Sequence, residues 1–228
     1  MCGRFSLTKI ELEIEERFGA TFYTKDLVKR YNVAPAQSVP VITIAAKTRI
    51  DFFRWGFIPA WATDDKMSYS LINAQSEKLL VSRMYREAFL HQRCLVPADG
   101  FYEWQKVGKQ KIPYRIHLKD DKLFAFAGLY SEWKNSAGKT VSSFTIITTT
   151  PNELVAPIHN RMPVILQPQH EKLWLDKDIS TADLLDVLLP YEPQQMEAYT
   201  VSNLVNNVAN DTDKILQEVK ADRQQSLF

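Results

Sequence analysis

Apolar positions near the start of the chain recur with the period of a helix: Ile10, Leu12, Ile14 and Phe18. The segment Thr8-Lys9-Ile10-Glu11 has the spacing of a capping box, which predicts that this helix begins there and ends near Gly19. A second, short helical piece is predicted over residues 25–29. Pro35 requires the residues before it to be extended.

From residue 39 onward the pattern changes to short runs of β-branched and aromatic residues separated by turn residues, which predicts strands. The predicted strands cover 39–45, 49–55, 71–74, 94–97, 101–104, 112–118, 123–130, 141–149, 162–166 and 198–201. Helices are predicted over 76–82, 84–91, 168–175 and 181–188. Residues 213–228 are expected to form a helix or a frayed tail.

No repeat, low-complexity segment or biased linker divides this pattern. We therefore expect one domain over residues 1–228, with its core over about 2–208. Because strands predominate and follow one another through short turns, the fold class is predicted to be α+β. The expected architecture is a bent, mostly antiparallel β-sheet or barrel with peripheral helices.

Composition and cysteine content narrow the class of protein. The chain has 228 residues, of which 45% are hydrophobic and 24% charged, as in a globular domain with a substantial core. No apolar run approaches the roughly 20 residues of a membrane helix, and the N-terminal pattern is not that of a signal peptide. The two cysteines, Cys2 and Cys94, exclude a disulfide framework and a Cys-based zinc site. We expect neither cofactor nor metal, and a reducing cytoplasmic compartment.

Charge is unevenly distributed, although the formal net charge is only +1. Residues 78–119 hold nine Lys or Arg against three acids, whereas residues 170–228 hold eleven acids against five bases. This asymmetry predicts one face suited to phosphates. Solvated β-hairpins also collect lysines, so charge alone leaves a nucleic-acid partner and an ordinary surface both open.

Cys2 carries the most distinctive chemistry in the sequence. Aminopeptidases remove an initiator methionine when the next side chain is small, so the mature chain is expected to begin with Cys2. Its free α-amine is partly neutral near pH 7 and can form a Schiff base with an aldehyde. The adjacent thiol can then close a thiazolidine ring, or act as an acyl-transfer nucleophile. Met-Cys also occurs by chance at the start of many chains.

Three further side chains are candidates for acid–base work or positioning. Glu103 lies between aromatic residues in a predicted strand, where desolvation would raise its pKa toward neutrality; pairing with a lysine is the alternative. His159 lies in a proline-bounded loop and could transfer protons or bond a carbonyl. Asn73, in an apolar stretch, could fix the N-terminal backbone or satisfy a turn.

Arginines and tryptophans supply candidates for DNA contact. Arg4, Arg83 and Arg161 could bind phosphates, since the guanidinium fork matches phosphate oxygens. Trp61 and Trp104 could stack on bases. Surface ion pairs and core packing are the competing interpretations of these residues.

Seven segments, taken together, resemble the SRAP family, the SOS response-associated peptidases, whose members form DNA–protein crosslinks at abasic sites. In chain order they are Met1-Cys2-Gly3-Arg4-Phe5, Arg30-Tyr31-Asn32-Val33-Ala34-Pro35, Trp55-Gly56, Ile72-Asn73-Ala74, Ser82-Arg83-Met84, Ala98-Asp99-Gly100-Phe101-Tyr102-Glu103-Trp104 and Ile158-His159-Asn160-Arg161-Met162-Pro163. The resemblance runs from Cys2 to about Val208.

The resemblance implies a positive channel that holds single-stranded DNA, or a single-strand/duplex junction, containing an abasic site. We expect the protein to be a monomer. It implies that Cys2 forms a thiazolidine crosslink, with Asn73 orienting Cys2, Glu103 as acid/base and His159 as proton shuttle. Eight positions fall where members hold phosphates or wedge bases: Arg4, Asn32, Pro35, Arg83, Met84, Trp104, Thr148 and Arg161. One departure is Gln75, where many members have an arginine, so one phosphate contact is expected to be missing.

Two other functions fit the same residues. One is an N-terminal-nucleophile peptidase or amidohydrolase, in which the Cys2 thiol attacks an amide. The other is a non-catalytic module that binds single-stranded DNA or a modified base. In each DNA-binding case the protein is expected in the cytoplasm, associated with the nucleoid when bound.

Overall fold

The computed structural model describes residues 2–24 and 27–219, which form fourteen strands and four α-helices. The strands are β1 (Phe5–Leu7), β2 (Thr21–Phe22), β3 (Arg30–Val33), β4 (Ser38–Thr43), β5 (Ala46–Trp55), β6 (Asn73–Gln75), β7 (Arg93–Ala98), β8 (Gly100–Val107), β9 (Gln110–Leu118), β10 (Phe124–Lys134), β11 (Thr140–Thr149), β12 (Met162–Pro163), β13 (Ile165–Leu166) and β14 (Met196–Thr200). The α-helices are α1 (Glu11–Phe18), α2 (Arg86–His91), α3 (Pro168–Trp174) and α4 (Thr181–Asp186). Short 3-10 turns include Ser76–Lys78, Asn203–Asn206 and Asp213–Leu216.

The larger of two sheets closes into a barrel. Its ring runs β11-β10-β7-β4-β5 and returns to β11 through a parallel pairing in which Ser143 lies opposite Arg54. The other four pairings of the ring are antiparallel. The predicted α+β fold, with a mostly antiparallel barrel, is therefore confirmed.

The smaller sheet holds the N-terminus and has the order β14-β9-β8-β1-β3. Its strands are all antiparallel, and β1 is paired on both sides, with Phe5 opposite both Val33 and Phe101. Hydrogen bonding on two sides fixes the path of the chain just before Phe5. The first residues of the protein are thus held against β8.

Aromatic packing joins this sheet to the barrel. The ring of Phe5, which is fully buried, lies 5.1 Å from that of Trp55 and 5.7 Å from that of Phe126. Phe101 on β8 also packs against Phe126, at 6.2 Å between ring centroids. Since buried aromatic side chains contribute large apolar areas to a core, these contacts anchor β1 at the point where the two sheets meet.

Buried arginines change the interpretation of the charge pattern. Arg93 is 1% exposed and donates hydrogen bonds to carbonyls at the ends of α2 and α3, among them those of Phe89 and Trp174. Arg115 is also buried, and it is paired with Asp121. Two of the nine positive charges in residues 78–119 therefore stabilise the fold, and the basic surface is smaller than the sequence indicated.

Several predicted boundaries differ from the structure, each for a local reason. The first helix begins at Glu11, because the Thr8 hydroxyl and amide both bond to Asp99, leaving Glu13 to accept from the Ile10 amide. The predicted strand 162–166 divides at Val164, so that β12 pairs with β11 and β13 with β10. The helices predicted over 76–82 and 84–91 shorten to one 3-10 turn and α2.

The ends of the chain fall partly outside the described residues. Met1, residues 25–26 of the predicted helical piece, and residues 220–228 of the predicted tail are not described; residues 27–29 have no regular structure. Residues 213–216 form a 3-10 turn whose Ile215 is buried in a small cluster with Tyr102. None of the described helices is long and apolar enough to cross a membrane.

Candidate functional site

The N-terminal residues form the floor of the candidate site. Cys2 lies just before β1, and the amide of Tyr102 donates to the carbonyl of Arg4 at 2.9 Å, so the pairing with β8 extends back toward Cys2. Cys2 is fully buried, with its Sγ 3.8 Å from the same carbonyl oxygen. Its own carbonyl accepts a hydrogen bond from Asn73 Nδ2 at 2.8 Å.

Asn73 is positioned by the barrel. It begins β6, which runs parallel to β11 with Asn73 opposite Ile146, and the hydroxyl of Tyr85 donates to its backbone carbonyl at 3.4 Å. The side-chain Oδ1 of Asn73 is buried and accepts no hydrogen bond from the described residues. The side chain of Asn73 thus bonds the backbone at Cys2, and its role in orienting Cys2 stays a prediction.

Glu103 lies on β8 at the register position opposite Tyr114 and is 2% exposed. Burial raises the pKa of Glu103 to about 7. Burial, followed by the charge of Glu103, raises the pKa of the Cys2 thiol well above its usual value. Near neutral pH the site therefore favours a protonated thiol beside a carboxyl group that can gain or lose its proton.

His159 lies in the loop between β11 and β12. Its Nδ1 lies 3.1 Å from the backbone nitrogen and 3.2 Å from the carbonyl oxygen of Arg161, so the backbone of Arg161 fixes the orientation of the ring. Partial burial lowers the pKa of His159, so the neutral ring is favoured. The side-chain amide of Gln105 on β8 donates to the Pro157 carbonyl at 3.0 Å and ties this loop to the strand that carries Glu103.

Arg4 is held by the segment 203–211, which folds across it. Its Nη1 donates to Asn32 Oδ1 at 2.8 Å and to the Val205 carbonyl at 2.7 Å. Asn32 is fully buried, and its Nδ2 donates to three carbonyls of the same segment, the shortest bond being 2.8 Å to Asn210. Asp211 Oδ1 accepts a hydrogen bond from the backbone amide of Asn32, which attaches the segment 203–211 to β3.

Trp104 belongs to the same group. Its indole Nε1 donates to Asn206 Oδ1 at 2.8 Å, and the Arg4 guanidinium lies 5.9 Å from the centroid of its ring. Trp104 is half-buried, so part of the ring stays accessible. A cation and an aromatic face thus stand together beside the N-terminal residues.

The remaining residues predicted to contact DNA differ in burial and in hydrogen bonding. Arg161 is bonded to Glu77 and to the carbonyl of Thr148, whose side chain is fully buried. Pro35 and Met84 are half-buried. Arg83 is exposed and makes no hydrogen bond or ion pair with another described residue. Gln75 lies on β6 opposite Thr148.

Glu77 and Asn206 are site residues that the sequence pattern did not indicate. Asn206 lies in an asparagine-rich stretch, which predicts a loop that bonds its own backbone, but its bond to Trp104 requires the fold. Glu77 looks like an ordinary surface acid until Arg161, 84 residues away, is brought to it. Within residues 2–24 and 27–219, no group of three or more His, Cys, Asp or Glu is arranged to hold a metal ion.

Cys2, the buried Glu103 and the loop residue His159 thus lie near the smaller sheet, with Asn73 reaching Cys2 from the barrel, and this arrangement agrees with the expected class of protein. The chain matches the family described as SOS response associated peptidase (SRAP) over residues 1–208, and it belongs to that family.

Its relatives carry a common description. The abasic site processing protein YoaM of Bacillus subtilis (strain 168) is 44% identical over 221 residues, covering 95% of this chain and 97% of the relative. The abasic site processing protein YedK of Escherichia coli (strain K12) is 30% identical, covering 96% of this chain and all of the relative. A crystal structure of a protein from Bacteroides thetaiotaomicron has a TM-score of 0.89 and 29% identity, covering 96% of this chain and all of that chain.

The role of Asn32 gives a stability prediction. Asn32→Ala should lower the free energy of unfolding by about 2 kcal/mol or more, because three backbone carbonyls and Arg4 lose a partner. It should also raise amide hydrogen exchange within residues 203–211. Urea denaturation and exchange mass spectrometry measure the two effects.

The matched control for this prediction is Asn203→Ala, which removes the same group from an exposed position of that segment. We expect it to stay within about 0.5 kcal/mol of wild type. Equal stability and exchange for the two variants would contradict the positioning role of Asn32.

Proposed function

We propose that this protein recognises abasic sites in single-stranded DNA, or at a single-strand/duplex junction, and captures them covalently through Cys2. The observation that carries the proposal is the placement of Cys2: its backbone is fixed by Asn73 and β8, next to a carboxyl group that titrates near neutrality. Relatives named as abasic site processing proteins match nearly the whole chain, which supports the same lesion as the target.

The proposed chemistry uses both groups of the N-terminal cysteine. After removal of Met1, the neutral amine of Cys2 attacks C1′ of the open-chain aldehyde, and loss of water gives an imine. The thiol sulfur then bonds to C1′ while its proton passes to the nitrogen, closing a five-membered thiazolidine. Because the ring leaves no imine to promote β-elimination, the DNA strand stays intact and the lesion is shielded.

Two side chains move the protons in this scheme. Glu103 in its neutral form donates a proton as the sugar ring opens and the carbinolamine loses water, and it accepts one in the reverse direction. His159 is proposed to protonate the sugar oxygen. Burial of Glu103 matters here because a carboxyl group with an ordinary pKa would be ionised and unable to donate at pH 7.

The DNA is held through its backbone, since the lesion has no base to read. Arg4, Arg83 and Arg161 are the proposed phosphate ligands. Trp104, with Pro35 and Met84, is proposed to wedge beside the neighbouring bases. For Asn32 and Thr148, whose side chains are buried, we propose an indirect role in which they hold Arg4 and Arg161 in place.

The alternatives are less well supported. A peptidase mechanism needs a nucleophilic thiolate, whereas burial and Glu103 both raise the pKa of the Cys2 thiol. Any autopeptidase activity would therefore be slow compared with amine chemistry. A non-catalytic binding module would have no use for a carboxyl group buried beside Cys2, and it would bind abasic and undamaged DNA alike.

Substitution of Cys2 separates the two steps of the chemistry. Cys2→Ala should give no stable adduct on an abasic oligonucleotide, because the imine that its amine forms cannot be closed. Cys2→Ser should behave in the same way, being trapped only with borohydride and cleaving the strand through β-elimination. Denaturing gels of the oligonucleotide, with and without borohydride, measure both outcomes.

The matched control is Cys94→Ala, which removes the other thiol from its buried position on β7 and should leave the adduct yield unchanged. A stable, untreated adduct from Cys2→Ala or Cys2→Ser would contradict thiazolidine formation.

The raised pKa of Glu103 gives a pH prediction. Below about pH 7 Glu103 is neutral and can donate; as pH rises through this value the donor is lost, while the fraction of neutral amine still increases. The crosslinking rate of the wild type should therefore bend near pH 7. Glu103→Gln should react about 100-fold more slowly and lack this bend.

Crosslinking rates from pH 5.5 to 9, measured alongside noncovalent DNA affinity, test this point. Glu132→Gln, an exposed carboxyl on β10, is the control for loss of one negative charge. Equal rates and profiles for Glu103→Gln and wild type would remove Glu103 from the acid–base role.

A further inference from the structure

Arg161 is occupied by a carboxylate in the DNA-free protein. Its Nη1 and Nη2 donate to the two carboxylate oxygens of Glu77 at 2.6 and 2.9 Å, and Nη2 also donates to the Thr148 carbonyl at 2.6 Å. This is the parallel, two-bond geometry that a guanidinium uses for carboxylates and phosphates alike. Glu77 therefore occupies the edge of Arg161 that a phosphate would need.

No second edge of Arg161 replaces the one that Glu77 covers. The Nε atom is buried, without a hydrogen bond to the described residues, and the side chain as a whole is only 14% exposed. A phosphodiester can therefore reach this guanidinium in its strongest geometry only after Glu77 has moved away. The ion pair also cancels the charge of Arg161 at long range, so that it attracts DNA less.

Glu77 is placed to move. Its side chain is 50% exposed, and the residue lies in the short 3-10 turn Ser76–Lys78. Arg161 would still be held by the Thr148 carbonyl after Glu77 moves. A half-exposed carboxylate regains water when it leaves its partner, which keeps the energy of separation small. The hydrogen bond from Arg161 lowers the pKa of Glu77, so the competing group is an anion at neutral pH.

We propose that Glu77 is a built-in competitor of the DNA backbone for Arg161, and that it sets how tightly the protein holds single-stranded DNA before reaction. This inference rests on the proposed function, since it assigns Arg161 to a phosphate of the bound strand. The competing phosphodiester belongs to intact and abasic DNA alike. Glu77 therefore weakens binding to undamaged strands, from which the protein must dissociate, while covalent capture retains it at lesions.

The residue at position 75 does not offset the negative charge of Glu77. Gln75, on the strand that leads into the Ser76–Lys78 turn, brings no charge to this side of the site. Arg161 is ion-paired with Glu77, and its availability decides whether this part of the site attracts a phosphate. Removing the negative charge at residue 77 should therefore have a measurable effect on affinity.

The test compares Glu77→Gln with wild type for equilibrium binding to an undamaged single-stranded oligonucleotide, by fluorescence anisotropy at several NaCl concentrations. Glutamine keeps the size of the side chain and removes its charge. We expect about two- to fivefold tighter binding and a steeper salt dependence, by about 0.7 in the logarithmic slope, from one added phosphate contact. Arg161→Gln should bind more weakly, and adding Glu77→Gln to it should have no further effect.

Asp51→Asn is the matched control, because Asp51 is a carboxylate paired with Arg49 on β5, outside the proposed DNA contacts. It should leave both affinity and slope unchanged. Unchanged or weaker binding by Glu77→Gln would overturn the inference, the weaker case making Glu77 a residue that positions Arg161. Adduct formation on an abasic oligonucleotide is measured in parallel: its absence in wild type would overturn the proposed function itself, whereas adduct formation without tighter binding would overturn only the role of Glu77.

Discussion

The pairing of β1 on both of its sides is the constraint on which the rest of the site depends. An N-terminus is ordinarily free to fray, but here Phe5 is enclosed by Trp55, Phe126 and the hydrogen bonds of two neighbouring strands. This packing fixes the position of β1, so the residues before Phe5 run along β8. The side-chain amide of Asn73 then holds the carbonyl of Cys2 through a hydrogen bond. The backbone at Cys2 is therefore fixed by hydrogen bonds much as it would be within a strand.

The same strand pairing links reactivity to burial. Glu103 follows Tyr102 on β8 and is buried, so it loses water and its pKa rises. Burial also raises the pKa of the Cys2 thiol, which therefore stays protonated. In the proposed mechanism these two pKa shifts favour the Cys2 amine as the first nucleophile and its thiol as the second. The segment 203–211 contributes in a different way, since it fixes Arg4 and Trp104 through Asn32 and Asn206. The proposed DNA contacts and the proposed reacting groups are thus positioned by separate parts of the fold.

Much of this could be predicted from the sequence, and the limits have physical causes. Short runs of β-branched and aromatic residues separated by turn residues predicted the strands of the α+β fold, because these side chains favour extended, partly buried backbone. Thr8 was predicted to begin the first helix, but its hydroxyl is taken by Asp99, 91 residues away, and no local pattern reveals such a partner. Arg93 and Arg115 were counted as surface charge for the same reason. The family motifs identified Cys2, Asn73, Glu103 and His159, whereas Glu77 became visible only through its bond to Arg161.

In the proposed reaction, a free amine and thiol at the first residue of the mature chain both bond to the sugar aldehyde carbon. Intact mass spectrometry of the purified protein, before and after incubation with an abasic oligonucleotide, tests it most directly when followed by peptide mapping. We expect the protein to lack Met1. The mass of the adduct should equal that of protein plus oligonucleotide less one water, and peptide mapping should locate the adduct at Cys2. A stable adduct formed by protein that retains Met1, or located at another residue, would contradict the proposed reaction.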